Sequence, residues 1–273
     1  MSDQSASGTE RHVALCSGGM DSAVSTHIAV RWGPADVVVH LDTGTGIDDN
    51  EQYVRDLARE LGVQCWTLST QNDYEEIVQE HGFPGPSRHG IMYRRLKERQ
   101  IQKFAAKVSG DLHCWTGVRA FESDRRMRHV EATSEHDAGR WYWRAPIHDW
   151  TKEDCREYLE QFDLPENPLW DTLGRSGDCW CGCFGNPEEL LDAEVAGHGD
   201  HADWLRDLER DVETGDETER WAWGALSEHE RRAERVVDEQ MTLCSTCGVG
   251  YPVETDGGST AQQDTGTDQE GSQ

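Results

Sequence analysis

The chain has 273 residues, enough for one large domain or two small ones with a full buried core. It carries 53 acidic and 26 basic residues, a net charge of −27, which argues against wide nucleic-acid binding at ordinary ionic strength. The acids run through the whole chain rather than a tail, so a halophile-type surface is expected, with carboxylates that hold water in concentrated salt.

Residues 1–10 read as a disordered leader. The polar first residues lack the apolar core of an export signal, and no stretch approaches the ~18 apolar residues of a membrane span. A cytoplasmic location without membrane contact is therefore expected. Residues 12–16 read as a buried strand and 21–31 as a helix. Between them lies Ser17-Gly18-Gly19-Met20-Asp21-Ser22. Glycines let backbone N–H groups approach an anion, and a helix N-terminus adds partial positive charge, so this reads as a phosphate-binding turn or as an ordinary Gly-Gly turn with a Ser/Asp helix cap. It matches neither the G-x-x-x-x-G-K-S/T loop nor the G-x-G-x-x-G loop.

Residues 36–41, rich in valine, form a second strand that ends in Asp42-Thr43-Gly44. A helical period covers 51–61, with Tyr53, Val54, Leu57, Ala58 and Leu61 on one face. A third strand at 63–68 precedes a helix at 73–81, capped by Asn72 or Asp73, and a Pro/Gly loop at 82–90. A long basic helix over 93–108 carries Arg94, Arg95, Lys97, Arg99, Lys103 and Lys107, either as a solvated face or as a positive patch for a 3′-phosphate, a nucleic acid or a redox partner. Residues 113–118 form a strand ending in Thr116-Gly117-Val118-Arg119, 140–147 are aromatic and β-like, and 151–162 form a helix capped by Thr151. Alternating strands and helices imply an α/β fold, a Rossmann-like doubly wound parallel sheet over 11–175. Ligands then sit at the carboxyl ends of the strands: at 17–22, 42–44 and 117–119.

From residue 185 the pattern changes. Amphipathic helices are expected over 188–195, 201–212 and 227–241, and a compact Cys/Gly segment over 243–252. The chain thus divides into a nucleotide-binding domain (11–184), a helical C-terminal region (185–253) and a disordered acidic tail (254–273). Nine cysteines are unevenly spread. Cys16, Cys65, Cys114 and Cys155 are scattered and read as core residues. Cys179, Cys181 and Cys183, with Cys244 and Cys247, form two tight groups. Their spacing reads as a metal or redox site: four thiolates suit an iron–sulfur cluster or a structural zinc, and a redox pair or plain buried thiols are further readings. His198 and His201 read as solvated, and the tryptophans as packing residues.

Several of these segments resemble one family. Ser-Gly-Gly-Met-Asp-Ser after a first strand is similar to the PP-loop of the adenine-nucleotide α-hydrolase superfamily. Leu41-Asp42-Thr43-Gly44 and Thr116-Gly117-Val118-Arg119-Ala120-Phe121-Glu122-Ser123-Asp124-Arg125-Arg126 resemble segments of the phosphoadenylyl-sulfate (PAPS) and adenylyl-sulfate reductases. So do Ala145-Pro146-Ile147-His148-Asp149-Trp150-Thr151, Leu164-Pro165-Glu166-Asn167-Pro168-Leu169-Trp170 and the approach to Cys179. The resemblance covers about residues 12–185. It implies that Ser17, Gly18, Gly19, Asp21, Ser22, Asp42, Gly117, Arg119 and Arg126 bind nucleotide phosphate or sulfate. A C-terminal thiolate, Cys247 or Cys244, would attack the sulfur of the sulfonucleotide, with Arg119 assisting.

Two departures stand out. The family's Glu-Cys-Gly-x-His setting is absent around Cys247-Gly248, and no Cys-Cys pair precedes the basic helix. Three functions follow as expectations. The first is reduction of activated sulfate to sulfite with a thioredoxin-like electron donor. The second is ATP cleavage, with Mg2+, for sulfur insertion into tRNA or DNA, using a 4Fe–4S cluster. The third is a non-catalytic nucleotide-binding protein with structural zinc. PAPS, adenylyl sulfate and ATP stay open as the nucleotide.

Overall fold

The computed structural model describes residues 10–70, 74–120, 131–135, 141–185 and 187–211. The expected leader, except Glu10, which begins the first strand, the Asn72/Asp73 cap, the 227–241 helix, the 243–252 segment and the acidic tail lie outside the described residues.

The chain begins β1 (Glu10–Leu15), α1 (Met20–Arg31), β2 (Val37–Asp42), α2 (Asp48–Glu60) and β3 (Gln64–Ser69). Each is within a few residues of its sequence expectation. In β1 and β2, alternate side chains enter different cores. Val13, Val37 and Val39 pack with Ile101, Leu112 and Trp141, while Ala14 and Val38 pack with α1 and α2 through Ala23, Tyr53 and Leu57. A parallel strand covered on both faces needs apolar residues at consecutive positions, which is the pattern of Val37-Val38-Val39. Full burial of side chains such as Leu57, Ile101 and Leu112 contributes roughly 1.5–3 kcal/mol each.

After α3 (Tyr74–His81) the chain makes a short 3-10 turn, Pro86–Arg88. A continuous helix follows, built from α4 (His89–Tyr93), a π-helical stretch Arg94–Glu98, and α5 (Arg99–Ala105). Then come β4 (Asp111–Trp115), β5 (Thr133–Glu135), β6 (Trp141–Arg144), α6 (Lys152–Gln161), α7 (Pro168–Leu173), α8 (Pro187–Val195) and α9 (Gly199–Asp211). The sheet order is β3-β2-β1-β4-β6-β5. All pairings are parallel except β5 with β6. Strand order reverses between β1 and β4, so the loops after these two strands open a crevice at the carboxyl edge.

Three features differ from the sequence reading. The helix expected at 93–108 begins at His89 and carries a π stretch, which places both Leu96 and Lys97 inside the protein. Lys97 therefore belongs neither to a solvated face nor to a positive patch. His201 is not solvated either: it lies edge-on to Trp180 (5.1 Å between centroids) and beside Trp204 (5.3 Å), and burial pushes its pKa down to about 4. Finally, β5 and α7 have no counterpart in the sequence reading, since each is short and has a weak local pattern. The cap on α6 does match: Thr151 Oγ1 accepts from Asp154 N (3.1 Å) while Asp154 Oδ2 accepts from Thr151 N (2.7 Å).

Candidate functional site

The 17–22 turn runs from the end of β1 into α1. Gly19 is the N-cap, and Gly18 has φ +81°, a backbone region open to glycine at no cost. A Cβ on Gly18 would stand 1.9 Å from Asn50 Oδ1, so glycine is also required by space. The Ser22 hydroxyl ties the turn to itself. It donates to Gly19 O (2.8 Å) and accepts from Ser17 N (3.2 Å) and Ser17 Oγ (3.0 Å). Its proton is thus committed to the loop, leaving backbone amides and the helix N-terminus to face an anion.

The turn's carbonyls are held from behind. Asn50 Nδ2 of α2 donates to Ser17 O (2.9 Å). Gly18 O accepts from Asn167 Nδ2 (3.0 Å) and from Trp170 Nε1 (2.8 Å). Asn167 Nδ2 also donates to Asn50 Oδ1 (2.8 Å), and Asn167 Oδ1 caps α7 through Leu169 N (3.0 Å). These bonds hold the Ser17 and Gly18 carbonyls in place. Asn50 has no signal in the sequence. Asn167 and Trp170 lie in a segment carrying the family resemblance, which was the available clue.

Across the crevice, the loop after β4 rests on the first turn of α1. A Cβ on Gly117 would lie 2.5 Å from both Asp21 C and Ser22 N, so this backbone approach needs glycine. Arg119 is buried, and its Nε donates to Asp21 Oδ2 at 2.8 Å. Lys152, at the start of α6, is close enough to feel both groups. Burial first, then the Arg156 charge, push Lys152 down to about 8; Arg119 adds to that effect and Asp21 opposes it. Two cations and a helix N-terminus against one carboxylate leave a net positive field. The other Asp21 oxygen, Oδ1, is buried without a hydrogen-bond partner.

Asp42 ends β2 on the same sheet edge. Its Oδ1 accepts from Gly44 N (2.8 Å), and its carbonyl accepts from Gln100 Nε2 (2.9 Å). The connector from β2 to α2 then reaches the cysteine segment. Thr43 Oγ1 donates to Asp178 O (3.1 Å), Trp180 N donates to Thr45 Oγ1 (3.1 Å), and Ile47 N donates to Gly177 O (2.9 Å). Thr45 Oγ1 also lies 3.7 Å from Cys179 Sγ. Buried beneath, Lys97 Nζ pairs with Asp178 Oδ2 at 2.6 Å, and His40 Nε2 stands 4.0 Å from Asp178 Oδ1. Burial pushes the Asp178 carboxyl up, against the pull of Lys97 and His40. Sequence reading missed Lys97, His40 and Asp178 as a group, because only the fold joins them.

Cys179, Cys181 and Cys183 are all buried in one cluster with Tyr74, Trp180 and apolar residues of α8 and α9. Two buried donors of this cluster, Tyr74 Oη and Trp180 Nε1, have no hydrogen-bond partner among the described residues. Three buried thiols with such donors in the same cluster fit a thiolate-bound, negatively charged group. Among the described residues, the set of three ligand-type atoms within 4.8 Å of one another is Glu10, His12 and His113, so the three cysteine sulfurs do not converge that tightly. The Glu10 set is itself a poor metal site. Trp115 Nε1 donates to His12 Nδ1 (3.2 Å) and Arg144 Nε to His113 Nδ1 (3.2 Å), so each ring keeps its proton on the Nε2 that faces Glu10. Arg126, Cys244 and Cys247 lie outside the described residues.

Comparison with known proteins follows this geometry. A family model described as the phosphoadenosine phosphosulfate reductase domain matches residues 11–184, well over half of the chain. A phosphoadenosine 5'-phosphosulfate reductase of Alkalilimnicola ehrlichii is 28% identical over 166 residues, which cover 59% of this chain and 65% of that protein. A protein of the same name from Xylella fastidiosa is 27% identical over 177 residues, covering 59% and 68%. Subunit 2 of a sulfate adenylyltransferase from Mycolicibacterium gilvum is 28% identical over 179 residues, covering 57% of each chain. The match to the Alkalilimnicola protein therefore spans just under two thirds of its length. Among solved structures, a PAPS reductase from Candida auris in a phosphate complex is 15% identical with a TM-score of 0.45, covering 60% of this chain and 78% of that one. The U34-tRNA thiolase NcsA from Methanococcus maripaludis, with its 4Fe–4S cluster, is 14% identical with a TM-score of 0.43, covering 88% and 76%. From β1 through Cys183, this chain belongs to the phosphoadenosine phosphosulfate reductase domain family.

Proposed function

We propose that this chain is an enzyme that binds an adenine sulfonucleotide at the 17–22 turn and reduces its activated sulfate to sulfite. The observation that carries this reading is Arg119, buried and aimed at the first turn of α1 from the loop after β4. A planar, permanently charged donor at that place suits phosphate or sulfate oxygens. In the bound state, the turn's amides would take the phosphate end, and Arg119 and Arg126 would neutralise the sulfate. Cys247 or Cys244 is the proposed nucleophile. Its thiolate attacks sulfur, a sulfur–sulfur bond forms as the sulfur–oxygen bond to the nucleotide phosphate breaks, and the nucleotide leaves with that oxygen. A thioredoxin-like dithiol then supplies two electrons, releases sulfite and becomes a disulfide.

In the same reading, Cys179, Cys181 and Cys183 hold an iron–sulfur cluster, with a fourth thiolate from Cys244 or Cys247. When bound, such a group supplies one-electron chemistry or holds a sulfur atom. The dense carboxylate surface is proposed as an adaptation to salt.

One observation favours a second reading. The residues around Cys247 lack the Glu and His of the reductase setting. ATP would then occupy the turn with Mg2+, leave as AMP and pyrophosphate, and activate tRNA or DNA for sulfur insertion. The test is a nucleotide panel on the anaerobically purified full chain. Sulfite release from PAPS or adenylyl sulfate with thioredoxin supports the reductase. Pyrophosphate release from ATP, with no sulfite from either sulfonucleotide, sinks it. Nucleotide binding without turnover, on a zinc-loaded chain, supports a non-catalytic role.

A further inference from the structure

Tyr74 opens α3 and is 3% exposed. Its ring packs near Trp204 (6.2 Å between centroids) in the apolar cluster that holds the three cysteines. Its hydroxyl is buried and has no hydrogen-bond partner among the described residues. The groups whose charges bear on that hydroxyl are Cys181, Cys183 and Cys179, in that order, followed by Glu209. A phenylalanine would fill the same space without the cost of an unpaired hydroxyl. The protein thus keeps an unpartnered donor in the buried cluster that also holds the three cysteines. A neutral thiol accepts a hydrogen bond weakly, whereas a metal-bound thiolate or an inorganic sulfide carries the negative charge that accepts one well.

We propose that Tyr74 donates a hydrogen bond to a sulfur of the iron–sulfur cluster held by Cys179, Cys181 and Cys183, and so raises the cluster's reduction potential. This rests on the reading of those cysteines as cluster ligands. Reduction adds one electron and hence negative charge to the cluster, and a donor to its sulfur stabilises the reduced state more than the oxidised one. Trp180 Nε1, between two of the cysteines in sequence, is a second donor of the same kind.

The experiment uses the full chain purified without oxygen. Iron and acid-labile sulfide are counted per chain, and the midpoint potential is titrated by electron paramagnetic resonance in the wild type, Tyr74→Phe and Tyr53→Phe. Tyr53 donates to Pro165 O (2.9 Å) elsewhere in the core and serves as the control for losing a buried hydroxyl. The expected result is full cluster content in all three and a more negative potential in Tyr74→Phe alone. The shift should be roughly tenfold in the reduction equilibrium, about 59 mV for one electron. The reduced wild type should also show hyperfine coupling to an exchangeable proton that Tyr74→Phe lacks. A fully loaded Tyr74→Phe with unchanged potential and coupling overturns the assignment and leaves the cluster intact. If the variant does not fold, absence of that coupling in the loaded wild type overturns it equally. Zinc, or no metal, in the wild type overturns the cluster reading and this inference with it.

Discussion

Asn167 satisfies three partners with one side chain: Gly18 O, Asn50 Oδ1 and Leu169 N. Its loss would leave Asn50 Oδ1 unpaired, take one of two donors from Gly18 O and uncap α7, so Asn167→Ala should cost about 2–4 kcal/mol of stability. Nucleotide affinity should fall by about tenfold or more, because the turn's carbonyls lose a restraint. Denaturant titration and equilibrium binding check both numbers, and unchanged affinity would show that Asn50 and Trp170 suffice to hold the turn. A second residue-scale outcome concerns His27, whose Nδ1 lies 2.8 Å from Tyr158 Oη. Burial, then the Arg31 charge, push its pKa below the ordinary imidazole value. Below about pH 6.5 the unfolded chain therefore takes up a proton that the folded chain resists, and stability is lost as pH falls. His27→Gln should flatten the decline in urea midpoint between about pH 7 and about pH 5. At this scale the sequence was a partial guide. The glycines and serines announced the tight turn into α1, because their spacing is local. The amide side chains that support it come from residues 33 and 149 or more positions away in the chain, and only folding joins them.

Among the elements, the connector from β2 to α2 has the largest consequence. It receives the cysteine segment through Thr43, Thr45 and Ile47, and three residues later Asn50 grips the 17–22 turn. The turn and the cysteine segment thus share one piece of backbone. The Lys97–Asp178 pair pins the same junction from the π stretch. Removing one partner of a buried pair strands a charge, so Lys97→Met should destabilise by about 3–5 kcal/mol. Adding Asp178→Asn should restore much of that loss, since the stranded group becomes neutral. Thermal or urea unfolding of the single and double variants measures it, and equal stability of the two would mean that Asp178 is already protonated when Lys97 is gone. Helical period alone could not reveal this pair. An i-to-i+4 pattern assumes regular α geometry, and the π stretch shifts which residues face inward.

For the molecule as a whole, a net charge of −27 means that compact structure works against self-repulsion. Screening should relieve it. The melting temperature should rise by a few degrees between about 0.1 M and about 2 M KCl, where the Debye length drops from roughly 10 Å to 3 Å or less. A flat response in a calorimetric series would show that surface ion pairs already balance the excess. None of the helices among the described residues is long and apolar enough to cross a membrane.

The sequence by itself determined the parallel α/β architecture, the Gly-Gly turn between β1 and α1, and the family. These depend on short-range facts: strand and helix periods, glycines where backbone must approach a ligand, and motifs in fixed order. The tertiary structure decided which residues hold those parts in place. It brought Arg119 onto Asp21, Asn167 under Gly18, Lys97 onto Asp178, and Tyr74 into one buried cluster with three cysteines. Each of these joins residues more than fifty positions apart. Such contacts follow from how elements pack around a shared core, and pairwise spacing along the chain carries no record of it.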